Sequence, residues 1–205
     1  MKMISSHNSG FTLLEVLVAM GIFLLMILGV SSIWSYASRS KNVIWEQLSA
    51  QNEGRKTAQD FTNQLRTATQ SSIGSFSIES PATSSLIFYS NIDSDSWRER
   101  VRYFLVGSIL KKGVIKPSGN PLVYNSSNET VTEVAHGVTN GSEPIFTYYG
   151  ENYNGTTITY TLSYPINVTS IRLIGIKLRL EKYPDLSPAP VWVESKVEIR
   201  NLKAN

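Results

Sequence analysis

The chain has 205 residues, 41% of them hydrophobic and 17% charged; 19 Lys and Arg stand against 16 Asp and Glu for a formal charge of +3, and cysteine is absent. These values suit one domain with an appendage. They exclude disulfide scaffolds, cysteine-ligated zinc or iron–sulfur centres and cysteine nucleophiles, and so small a positive surplus does not point to nucleic acid. The charged fraction falls below the roughly 25% usual in soluble domains, so part of the chain belongs where charge is unwelcome.

That part is N-terminal. Residues 16–38 are 23 consecutive positions without Asp, Glu, Lys or Arg, and apolar side chains are densest from Phe11 to Trp34. As a helix those 24 residues reach about 36 Å, enough for a hydrocarbon core of about 30 Å. Ten residues, MKMISSHNSG, polar for the most part, precede the span, and Glu15 is the one ionisable group inside it. A carboxylate in hydrocarbon is unfavourable without a partner.

Gly10-Phe11-Thr12-Leu13-Leu14-Glu15-Val16-Leu17-Val18-Ala19 resembles the processing site and assembly helix of type IV pilins and pseudopilins. The resemblance implies cleavage between Gly10 and Phe11 by a membrane-embedded prepilin peptidase, N-methylation of Phe11, and assembly through Glu15. With the leader and Lys2 removed, 195 residues remain and the side-chain balance becomes 18 minus 16, or +2.

The spacing has its own chemistry. Cleavage would free an α-amine, with an ordinary pKa of about 7.7–8.0, at the positive end of a helix dipole, where it calls for an anion. Glu15 follows Phe11 by four residues, on the same helical face. Its carboxylate can also meet the amine of a neighbouring subunit displaced along an axis, and that pairing neutralises two groups an apolar interior penalises singly. Glu15 as a tolerated polar residue near a membrane interface is the plainer reading of the same position.

Two other accounts fit an apolar N-terminus. A secretory signal peptide carries a core of about 7–15 apolar residues; Ser35-Tyr36-Ala37 imitates its cleavage site, but the span is too long and Glu15 is poorly placed. A plain membrane anchor is the second. Lys2 precedes the span while Arg39 and Lys41 follow it, so the flanking bases mildly oppose a cytoplasmic N-terminus. The family resemblance implies the opposite: leader in the cytoplasm, single pass through the bacterial inner membrane, head outside.

Beyond the span, Ala37, Ile44, Leu48, Ala58, Phe61, Leu65 and Ala68 recur at helical intervals and predict an amphipathic extension over residues 35–72. Gly21 and Gly29 weaken the membrane half or permit close packing there. The mid-helix proline frequent in pilins is missing. Ser71, Ser72, Gly74 and Ser75 end the pattern, and residues 73–205 read as a mainly antiparallel β head, giving an α+β fold. Strands are predicted at 85–90, at 101–106 and 109–112 around a Gly107-Ser108 hairpin turn, at 144–149 and 157–163, and at 174–181 and 191–200, where apolar and polar residues alternate. Pro184, Pro188 and Pro190 mark the loop between the last two. From 117 to 157, 21 of 41 residues are Ser, Thr, Asn or Gly, which predicts a turn-rich, variable surface. The sequons at Asn128 and Asn154 matter only in a glycosylating host.

Within the head, Arg100-Val101-Arg102-Tyr103-Phe104-Leu105, Gly137-Val138, Phe146-Thr147-Tyr148-Tyr149, Ile171-Arg172-Leu173-Ile174-Gly175-Ile176 and Arg200-Asn201 are similar in order to J-type minor pseudopilins and W-type minor pilins. Glu15 sets the chain apart from K-type tip subunits, and the lack of cysteine from major pilins that close a C-terminal loop by a disulfide. The implied partners are other major and minor pilins or pseudopilins, the peptidase, membrane lipid before assembly and, indirectly, a platform protein with its ATPase.

Catalysis finds no foothold. His7 would leave with the leader, so His136 is the one histidine remaining, and no nucleophile elbow, phosphate-binding loop or dinucleotide fingerprint occurs. No cofactor is called for. Asp93 and Asp95 form a D-x-D pair in a polar loop, a weak candidate for Ca²⁺ with most of its 6–8 oxygen ligands unidentified, or a solvated turn. His136 is expected in or beside a strand, and Trp97 and Trp192 are candidates for contact with another subunit.

Overall fold

The computed structural model describes residues 10–93, 95–153, 155, 161–182 and 189–200. Pro184, Pro188, the sequon at Asn154, the predicted strand over 157–160 and the leader up to residue 9 lie outside them. The chain divides into two units, residues 1–44 and 45–205, with the division inside the expected extension.

In the first unit the polypeptide enters helix α1, Leu13–Arg66, 54 residues in all, and stays in it throughout. Leu, Ile and Val dominate, and no apolar side chain from Phe11 to Tyr36 is buried within the chain. A core helix of a water-soluble fold would hide one face; this segment hides none. Gly21 and Gly29 have open space where a Cβ would stand, so nothing within the chain requires glycine at either position.

In the second unit, α1 buries Ala50, Gly54, Thr57, Ala58, Phe61 and Leu65, a spacing of three and four residues that keeps one face inward. Ala37, Ile44 and Leu48 of the predicted stripe are exposed instead. Where the helix meets the sheet, small residues set the approach: a Cβ on Gly54 would stand 2.6 Å from Leu180 Cδ1 and 2.8 Å from Val193 Cγ2. The helix also stops at Arg66 rather than reaching residue 72. Thr67 Oγ1 donates to Gln64 O at 3.0 Å, Ser90 Oγ donates to the same carbonyl at 2.9 Å, and Thr69 N–H turns to Tyr89 O. The two hydroxyls satisfy the Gln64 carbonyl that a further turn would otherwise have served, and the Thr69 amide is drawn to the sheet instead.

Among the described residues two antiparallel sheets follow. The first has the order β1-β2-β3-β4-β5: Ile78–Pro81, Ser85–Ser90, Glu99–Val106, Ile109–Ile115 and Thr130–His136. The second has the order β6-β7-β8: Phe146–Tyr149, Leu173–Leu180 and Val191–Glu198. The hairpin at Gly107-Ser108 forms as expected, with Val106 opposite Ile109 and Gly107 at φ +60°, a conformation that glycine adopts without steric cost. The paired strands at the end of the chain also form, Leu180 opposite Val191 and Leu173 opposite Glu198.

Phe61 sits at the middle of the core, with ring centroids 5.3 Å from Tyr103, 6.4 Å from Phe88 and 5.5 Å from Phe146. It therefore touches both sheets. The sheets also join directly: Thr83 O accepts from Ile145 N–H and Phe146 N–H, and the Tyr148 hydroxyl donates to Ala82 O at 2.7 Å. The turn-rich stretch is less of a surface than expected. It contains β5, and Asn140 is buried, its amide donating to Lys177 O at 2.8 Å while its Oδ1 accepts from Arg179 N–H at 2.9 Å.

Candidate functional site

Gly10, Phe11 and Thr12 precede the helix and are exposed, so the Gly10–Phe11 peptide lies outside helical hydrogen bonding. Among the described residues, its chain neighbours apart, none comes within 4 Å of where a Gly10 Cβ would be. The first helical bond runs from Val16 N–H to Thr12 O, which makes Thr12 the cap.

Glu15 is tied to that cap. Its Oε2 accepts from Thr12 N–H at 2.8 Å and from the Thr12 hydroxyl at 3.0 Å, while Glu15 N–H donates to Thr12 Oγ1 at 3.3 Å. This is a capping box, in which two side chains satisfy each other's orphan amides at a helix start. Thr12 is the residue that reasoning from the Phe11 to Glu15 spacing overlooks, although the T-x-x-E pattern is plain in the chain. In the single chain the carboxylate thus has a local partner and remains at the protein surface, able to accept further donors on its remaining lone pairs.

Asp93 and Asp95 lie in the loop from β2 to β3. Lys116 Nζ meets Asp93 Oδ2 at 2.8 Å and also contacts Asp95 Oδ2. Lys116 holds the Asp93 carboxyl below the usual carboxylate range, with the Asp95 amide assisting. Glu99, absent from the D-x-D reading, joins them. It is buried; that burial, with the Asp93 and Asp95 charges, pushes its carboxyl above the ordinary range against the pull of the Ile92 amide.

His136 ends β5 and stands between the carboxylates of Glu53 and Glu133, which raise its proton affinity above the ordinary value. Trp97 is partly exposed in the β2 to β3 loop. Trp192, on the outer face of the second sheet, lies under the Lys177 ammonium, 4.5 Å from the ring centroid.

Residues 5–31 match the family model described as a prokaryotic N-terminal methylation motif. No curated protein matches the chain. The matched stretch includes the polar approach, the Gly10–Phe11 bond, Glu15 and most of the exposed apolar helix. It supports processing and assembly of the pilin and pseudopilin kind, a membrane-anchored state, and encounters with a prepilin peptidase and with other pilins. It points to a structural subunit.

Proposed function

We propose that the chain is a minor subunit of a type IV pilus or a type II secretion pseudopilus, of the J-type pseudopilin or W-type pilin sort. It is inserted once in the inner membrane with its head outside, cut between Gly10 and Phe11, methylated on the new amine, and drawn into a filament through α1. The observation that carries this reading is the methylation motif lying on a helix that exposes an apolar surface on every side. Such a surface requires lipid before assembly and neighbouring helices after it. Gly10 is compatible with it: among the described residues nothing crowds the position, and glycine leaves the bond open to approach.

In the filament, the Phe11 amine of one subunit would meet Glu15 of the next, taking the carboxylate partly away from Thr12. The capping box favours a second reading, in which Glu15 serves its own helix and the chain is a tethered extracytoplasmic domain. Glu15→Gln separates the two, because glutamine still accepts from the Thr12 amide but carries no charge. Filament incorporation should fail in both Glu15→Gln and Glu15→Leu; normal incorporation of the glutamine variant would leave Glu15 as a cap alone. Mass spectrometry of the mature N-terminus should find methylated Phe11, and an intact Met1 would overturn the processing step.

A further inference from the structure

Between β2 and β3 the chain carries oxygen-bearing side chains at alternate positions, Asn91, Asp93 and Asp95, and then Glu99 at the start of β3. One carboxylate oxygen from each of Asp93, Asp95 and Glu99 lies within 4.8 Å of the other two. Exposed acids often gather without consequence, but Glu99 is not exposed: it retains 2% of its accessible surface. Its Oε2 accepts from Ile92 N–H at 2.9 Å, while its Oε1 is buried with no hydrogen-bond partner among the described residues. Asn91 Oδ1, at the head of the same loop, is likewise buried and unpartnered.

Unpaired acceptors shut off from water are unfavourable unless a cation or donor meets them. Lys116 meets the two aspartates and is half exposed, and the Arg98 guanidinium donates to Ser96 O. With Glu99 ionised, three carboxylate charges face the single ammonium of Lys116, and the remainder is the charge of a divalent ion.

We propose that this loop is a binding site for a divalent cation of the calcium class, held by Asp93, Asp95 and the unpartnered Oε1 of Glu99. Lys116 is the competing cation, which holds the aspartates together when the ion is away. An all-oxygen donor set selects hard cations, and the irregular spacing of a loop suits the flexible coordination of Ca²⁺ better than the strict octahedron of Mg²⁺.

Trp97 supplies a probe, since its backbone N–H donates to Asp95 Oδ1 at 2.6 Å, which keeps the residue beside the carboxylates, and its indole can sensitise a lanthanide bound there. In the full-length chain in detergent micelles, Tb³⁺ should show emission on tryptophan excitation, displaced by Ca²⁺ at about 10⁻⁴–10⁻³ M, the range of extracellular modules. Glu99→Gln should weaken Ca²⁺ displacement by about tenfold. Lys116→Met, a change to a half-exposed side chain that leaves the strands untouched, should strengthen it by about tenfold, because a cation has been removed from between the ligands. A purely structural Lys116 bridge predicts no binding in either form. Absence of sensitised emission in both the native chain and Lys116→Met, displacement indifferent to Glu99→Gln, or equal displacement by Mg²⁺ would overturn the proposal.

Discussion

Glu53 Oε1, on α1, meets His136 Nδ1, on β5, at 2.5 Å across 83 positions of sequence. The other carboxylate oxygen of Glu53 meets Lys182 Nζ at 2.6 Å, and His136 Nε2 meets Glu133 at 3.0 Å. Burial alone would raise the Glu53 carboxyl; Lys182 and His136 outweigh it and bring it below its ordinary range. His136 is raised by Glu53 first and Glu133 second.

The sign of the pH dependence follows. A histidine with a raised folded-state pKa contributes stability that is complete below about 6.5 and fades as pH climbs through the raised value. Glu53 contributes above its unfolded value and loses that contribution as pH falls through its lowered one. Urea midpoints of the full-length chain should therefore drop between pH 6 and pH 8.5. The His136 side chain is 43% exposed, so screening limits the change to about 0.5–1 kcal/mol. In Glu53→Gln most of that slope should vanish; an unchanged slope would place the titrating group elsewhere.

Gly54 tests how closely helix and sheet approach. Gly54→Ala gains helix propensity of about 1 kcal/mol, but its Cβ would press on the buried Leu180 and on Val193, which is stiff at χ1; overpacking of about 1–3 kcal/mol outweighs the gain, so the variant should be less stable. Gly54→Leu has no space to enter and should lower stability by about 1–3 kcal/mol, read as a fall in thermal midpoint.

Asn140 replaces a strand neighbour along β7, satisfying one carbonyl and one amide with a single side chain. Asn140→Ala leaves both buried groups unpaired and should cost about 1–3 kcal/mol. Asn140→Asp keeps the acceptor for Arg179 N–H but not the donor to Lys177 O, so denaturant midpoints should place it no better than alanine above pH 6.

Ser90 is fully buried and its hydroxyl closes the end of α1 at Gln64 O. Removing it in Ser90→Ala should cost about 1 kcal/mol and speed hydrogen exchange in the last turn of the helix before it affects the sheets.

The long helix, the Gly107-Ser108 hairpin and the β7 and β8 pair were legible because apolar periodicity and turn chemistry act over neighbouring residues. β5 was not: Thr130 to Glu133 are exposed, so the strand shows no apolar alternation and is held by pairing with β4. Gly54 reads in sequence as a weak helix position, and only the sheet brought against it shows why a side chain is unwelcome there. Asp93 and Asp95 were visible as a pair, whereas Glu99 reads as an ordinary strand residue until the fold buries it. The methylation motif over residues 5–31 was legible because a motif is local. The Thr12 cap was equally local, but the chemistry of an amine that cleavage has yet to create competed with it for Glu15.

Because the Phe61 ring is packed by residues from both sheets, neither sheet has a complete interior without the other. Melting of the head should be a single all-or-none event, with no stable half-molecule. A polypeptide interrupted before β7 would lack the strand that backs Phe146 and would meet cellular proteases as an open chain, so faulty copies would be cleared before they could compete for a place among intact ones.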